Sequence, residues 1–135
     1  MATKIFVNLP VKDLQKSIAF FTKLGYTFNE QFTNENATCM IIAEDIYAML
    51  LVEPFFKSFI KKEICDTTKS TEAIIALSAE NREAVDELAN KAVEAGGVEP
   101  KPTNDQGFMY TRSFEDLDGH LWEIFYMDLS AMPQS

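Results

Sequence analysis

The chain opens on an alternation. Ile5, Val7 and Leu9 alternate with Phe6, Asn8 and Pro10, the period of a strand with one buried face. Asp13 then reads as an N-cap, and Leu14, Ile18, Phe21 and Leu24 recur at helical spacing until Gly25 ends the helix. Strand patterns follow at 26–32, 37–43 and 46–52, split by Asn34-Glu35-Asn36 and Glu44-Asp45. The same order then returns. Ala73, Ile75 and Leu77 form one strand face, Asn81 is the N-cap, and Val85, Leu88, Ala89 and Ala92 make the helical stripe that Gly96-Gly97 closes. Further strands are predicted at 98–101, 107–114 and 120–127. This predicts an α+β fold of two tandem β-α-β-β-β modules, which can pair into a half-open eight-stranded mixed barrel with the helices outside. The expected layout is one domain over 1–135, with module one at about 4–53 and module two at about 72–128.

Between the modules runs Pro54-Phe55-Phe56-Lys57-Ser58-Phe59-Ile60-Lys61-Lys62-Glu63-Ile64. Phe55, Phe56, Phe59 and Ile60 fall on one helical face, with Lys57, Lys61 and Lys62 largely off it. A linker helix over about 54–70 is predicted, packed on the barrel or serving as a lid or dimer contact.

Strand alternation also sorts the side chains of the candidate cavity. If Ile5, Val7 and Leu9 face the helices, Phe6 and Asn8 face inward. If Trp122, Ile124 and Tyr126 face the helices, Leu121, Glu123 and Phe125 face inward, and Tyr47, Met49 and Leu51 join them. Glu123 stands out, because a carboxylate within an apolar strand is costly unless something pairs with it. An apolar, aromatic lining with one amide and one acid suits a small-molecule site. The plainer alternative is that Asn8 and Glu123 satisfy each other or nearby backbone groups. Arg112 is a candidate partner for Glu123 or for a ligand anion, or else a solvated surface residue. His120, just after the Asp118-Gly119 turn, is expected to be solvated or hydrogen-bonded.

Composition narrows the function classes. At 135 residues with sixteen aromatics, the chain is long and apolar enough to bury a core. Acids outnumber bases 21 to 12, a net charge of −9, which argues against nucleic acid. No apolar run approaches the roughly 20 residues of a membrane span. Met1-Ala2-Thr3-Lys4 shows no basic region followed by an apolar one, so no secretory signal is expected. Two cysteines, Cys39 and Cys65, fit reduced thiols and a cytoplasmic location. No phosphate-cradling glycine loop or Gly-x-Ser-x-Gly elbow occurs.

Several motifs carry a resemblance. They are Phe6-Val7-Asn8-Leu9-Pro10-Val11-Lys12-Asp13-Leu14, Phe20-Phe21, Leu24-Gly25-Tyr26, Ala95-Gly96-Gly97, and Asp118-Gly119-His120 followed by Glu123. In this order the chain resembles the vicinal oxygen chelate superfamily of glyoxalases, bleomycin-resistance proteins and extradiol dioxygenases. More narrowly it resembles the group of predicted lactoylglutathione lyases. The resemblance implies a divalent metal held by a histidine, glutamate or glutamine from the first and last strand of each module. Those positions fall at Phe6, near Met49, at Ile74 and at Glu123, so only one carries a hard donor. The expected function is therefore binding of a small, partly apolar ligand in the barrel cavity, with no cofactor and no metal. Its lining would be Phe6, Asn8, Tyr47, Met49, Ile74, Glu123 and Phe125. The alternative is a metal-dependent lyase or dioxygenase. No catalytic residue is assigned, and a homodimer is expected, the commonest closed assembly.

Overall fold

The computed structural model describes residues 3–131, and the chain divides into two units between Cys65 and Asp66. The first unit contains strand β1 (Ile5–Val11), helix α1 (Leu14–Lys23), β2 (Thr27–Asn29), β3 (Ala37–Ala43), β4 (Ile46–Val52) and a short helix α2 (Glu53–Lys57). The second contains β5 (Ile74–Ser78), α3 (Arg82–Glu94), β6 (Asn104–Asp105), β7 (Met109–Glu115) and β8 (Leu121–Met127). Each unit forms one four-stranded mixed sheet. The orders are β1-β4-β3-β2 and β5-β8-β7-β6, with β1 parallel to β4, β5 parallel to β8 and the other pairs antiparallel. The order of the repeat predicted from the sequence is thus present, with the second strand position of the second unit moved to β6.

Both main helices start and stop by the same chemistry. Asp13 accepts the Lys16 N–H at 3.1 Å, and Asn81 accepts the Ala84 N–H at 2.8 Å. Such caps are each worth about 1 kcal/mol. At the far ends, Gly25 and Gly96 take positive φ. The Gly25 and Tyr26 N–H groups donate to the Thr22 and Phe21 carbonyls, and those of Gly96 and Gly97 to Val93 and Ala92. These are paired Schellman closures, which satisfy carbonyls the helix leaves open.

In the first unit, α1 covers the face of the sheet that carries Leu9, Val11, Met40 and Leu50 and buries Phe20 and Phe21. In the second, α3 buries Val85, Ala89 and Ala92 on the face that carries Phe114, Trp122 and Ile124. The Phe114 and Trp122 rings stack with centroids 6.1 Å apart. Full burial of such large apolar side chains contributes about 1.5–3 kcal/mol each.

Three predicted elements differ in extent. The pattern at 26–32 keeps strand pairing only over Thr27–Asn29. The Asn29 side chain then accepts the Gln31 N–H at 3.0 Å, and Glu30–Phe32 turns into a 3₁₀ helix. The strand expected at 98–101 is a single bridge from Val98 to Glu115, because Pro100 and Pro102 offer no N–H; pairing resumes at β6. The helix expected over 54–70 is α2 alone. Ser58, Phe59 and Ile60 donate to carbonyls three residues back, and the Ser58 hydroxyl also donates to the Phe55 carbonyl, which tightens and ends the helix.

Candidate functional site

β1 is an edge strand, and it sets one group of the predicted site residues. The Ile5 N–H donates to the Asp45 carbonyl, so in a parallel ladder the backbone groups of Phe6 and Asn8 point away from β4. The Asn8 amide returns to the Phe6 carbonyl at 3.1 Å, and Pro10 has no N–H to offer. This edge is blunted against pairing with another strand.

On the sheet face opposite α1, register places Phe6 beside Tyr47, and Asn8 beside Met49. Cys39 lies on the other side of Met49. The Phe6 and Tyr47 rings stack with centroids 4.7 Å apart and planes 10° apart, yet Phe6 stays 49% exposed. The Tyr47 hydroxyl donates to the Glu44 carbonyl at 2.7 Å, and the Lys4 ammonium lies 5.6 Å from the ring centroid. Cys39 is buried, and burial pushes its thiol pKa upward, which keeps it protonated and poorly nucleophilic.

The second sheet gathers the rest. Ile74, Glu123 and Phe125 share the face opposite α3, with Glu123 between Ala76 and Ser113 across the ladders. Ile74 is 57% exposed. Glu123 is 21% exposed and pairs with Lys101, whose ammonium donates to Oε2 at 2.9 Å. Lys101 also lines an open groove of 430 Å³ formed by Glu99, Pro100, Lys101, Pro102 and Thr103. Ser113 is 1% exposed, and among the described residues its hydroxyl has no hydrogen-bond partner.

Of the partners expected for the polar residues, Asn8 takes a nearby backbone group, the Phe6 carbonyl, while Glu123 is corrected: it bonds Lys101 rather than Asn8 or backbone. Arg112 is neither solvated nor Glu123's partner. It stands opposite Ile124 in the ladder, on the α3 face, and is only 12% exposed. There it makes two hydrogen bonds to Glu99 and one to Asp86, and these, Glu99 first, raise its pKa further. His120 takes the hydrogen-bonded of its two expected states: it is buried, with Nδ1 2.6 Å from Oε1 of Glu72. Beside it, Asp116 accepts the backbone N–H groups of Asp118 and His120 and the Trp122 indole N–H. Burial raises the Asp116 pKa. This cluster braces the β7–β8 turn.

Lys101 and Ser113 were missed by sequence reasoning. Ser113 was accessible to it, since counting back from the Asp118-Gly119 turn pairs it with Glu123. Lys101 had no local signal, being one lysine in a proline-rich loop.

Register also aligns the four positions that the resemblance implies for a metal. Asn8 pairs Met49 two residues after Phe6, and Ala76 pairs Glu123 two residues after Ile74. Met49 is thus the repeat counterpart of Glu123. Of Phe6, Met49, Ile74 and Glu123, only the last offers an oxygen, so these residues do not fit a hard divalent ion. Among the described residues, no group of three or more His, Cys, Asp or Glu is placed to hold a metal.

Two copies of this strand order, each with one helix-covered and one opposite face, define the paired-module α+β class. A family model described as the Glyoxalase/Bleomycin resistance protein/Dioxygenase superfamily matches residues 5–124, and the chain belongs to that superfamily. Among solved structures, the chain is similar to hypothetical protein SA1046 from S. aureus. That match has 29% identity and a TM-score of 0.79, and covers 93% of this chain and 95% of that one. A glyoxalase/bleomycin resistance protein/dioxygenase family enzyme from Burkholderia phytofirmans matches at 16% identity and TM-score 0.76, over 93% and 99%. The fosfomycin resistance protein FosX from Listeria monocytogenes matches at 21% and 0.68, over 97% and 98%. The last two show a shared fold. No functionally curated protein matches the chain.

Proposed function

We propose that this protein binds a small, partly apolar ligand against the sheet faces that carry Phe6, Asn8, Tyr47, Met49, Ile74, Glu123 and Phe125, and does so without the superfamily's metal. The half-open barrel implied by the resemblance is part of the same proposal, as is a cytoplasmic location; among the described residues no helix is long and apolar enough to cross a membrane. The observation that carries the reading is the Phe6–Tyr47 stack, aromatic surface that remains exposed although it sits within a sheet face. Ligand sites are lined mainly by apolar and aromatic side chains, and contiguous exposed apolar surface marks places where molecules bind. Asn8 and the Glu123–Lys101 pair supply the few polar contacts that orient a ligand. One oxygen donor at four implied metal positions supports the metal-free part.

The test is a thermal-shift screen of small aromatic and aliphatic compounds on wild type and Glu123→Gln. A half-exposed ion pair is worth at most about 1 kcal/mol, so the variant should melt close to wild type while its response to hits changes. An absence of hits, together with a large stability loss in Glu123→Gln, would favour a purely structural role. Metal analysis of the purified protein should find no stoichiometric divalent ion, and chelator should leave melting unchanged. One ion per chain, with a chelator-induced drop in melting temperature, would overturn the metal-free part.

A further inference from the structure

The Glu123 side of the second sheet holds unused hydrogen-bonding capacity. Ser113 faces Glu123 directly across the β7–β8 ladder, where paired side chains are neighbours. Its hydroxyl is buried and, among the described residues, unpartnered, a state that costs free energy until an acceptor arrives. Lys101 gives one N–H to Oε2 of Glu123, and an ammonium carries three donors. Among the described residues Lys101 has no other acceptor, and Oε1 of Glu123 has no donor. The free inventory is therefore two ammonium N–H groups and one hydroxyl against one carboxylate oxygen. It is rich in donors and includes a positive charge.

That inventory selects a ligand chemistry. Oxygen acceptors bearing one negative charge match Lys101 and Ser113. A doubly charged phosphate matches less well, because the Glu123 carboxylate lies at the same place and repels it. Phe125 and Leu121 lie on the same face as Glu123 and offer apolar contact beside the head group. The groove along Glu99–Thr103 leaves Lys101 accessible.

We propose that Lys101, Ser113 and Glu123 form the head-group subsite for a small organic carboxylate whose apolar body lies along Phe125. Lys101 supplies the cation at this position. The proposal rests on the small-molecule reading above and names the ligand class for it.

Phenylacetate and its neutral isostere phenylacetamide separate the possibilities in an NMR titration of the full chain. Phenylacetate should shift the amides of Lys101, Ser113, Glu123 and Phe125 and bind about tenfold more tightly than the amide, the margin a charged hydrogen bond gives. Lys101→Met and Ser113→Ala should each weaken phenylacetate more than phenylacetamide, whose carbonyl accepts without a charge, and so shrink that margin. Equal affinity of the two compounds at these residues overturns the carboxylate assignment and leaves small-molecule binding standing. Shifts confined to other residues overturn the subsite. If neither compound binds, the subsite is also overturned, and the thermal-shift screen decides the wider reading separately.

Discussion

Tyr26 follows the glycine that closes α1, its ring 6.3 Å from that of Phe21. Burial pushes its phenol pKa up to about 12, from an ordinary value of 10.0. Folding thus favours the neutral phenol. The associated stability is fully present below pH 10 and is lost as pH rises through 12, because the unfolded chain ionises first. The size is about 2–3 kcal/mol. Tyr26→Phe should therefore keep more of its own neutral-pH stability than wild type does between pH 10 and 12. Denaturant melts at pH 8 and pH 11.5 measure this, and parallel losses in the two proteins would refute it. At this same scale the sequence marked Glu123 correctly as a polar residue needing a partner. It offered Arg112, although one residue of alternation already placed Arg112 on the opposite face from Glu123. The actual partner, Lys101, is brought in by a loop whose path no local pattern encodes.

The β7–β8 connection shows how one element is held. Gly119 adopts φ +79°, and a Cβ there would meet the Thr67 hydroxyl oxygen at 2.6 Å. That hydroxyl donates to the Asp118 carbonyl at 2.6 Å, tying the turn to residue 67. Gly119→Ala should cost about 2–4 kcal/mol, the sum of a left-handed backbone penalty and an overpacked contact. Made in a Thr67→Ala background, the same change should cost less, since the 2.6 Å hydroxyl contact is gone while the contact with the residue-67 Cβ at 2.9 Å and the backbone penalty remain. Chemical denaturation of the four proteins in the cycle measures the coupling. Identical costs in both backgrounds would mean that the contact does not matter. The turn itself was legible, because Asp-Gly before an alternating apolar run has few other solutions. So were β3, β4 and both helix caps. The elements that moved were those where a side chain or a proline competes with the ladder: Asn29 after β2, and Pro100 and Pro102 before β6. Such competition depends on local hydrogen bonds that hydrophobic period does not report.

For the molecule as a whole, the open question is assembly. The apolar stripe between the modules predicts a linker helix over about 54–70, and the structure keeps helix only over Glu53–Lys57. Phe59 lies beyond the helix end and is 67% exposed, and it meets Phe55 edge-on with centroids 5.0 Å apart. Ile60 is exposed beside it. A chain with net charge −9 resists self-association in general, but this patch sits among Lys57, Lys61 and Lys62, where that repulsion is locally relieved. Adjacent exposed aromatic and aliphatic side chains suit a contact with a second copy through one shared patch. We therefore expect a homodimer whose contact includes Phe55, Phe59 and Ile60. Light scattering at micromolar concentration should return twice the chain mass, and Phe59→Asp should return one chain mass from a chain that still folds. A wild type that stays monomeric would end the idea. A Phe59→Asp variant that remains dimeric would place the interface on another surface. The blunted β1 edge, with Asn8 turned onto its own strand and Pro10 lacking a donor, would then be the least suitable alternative.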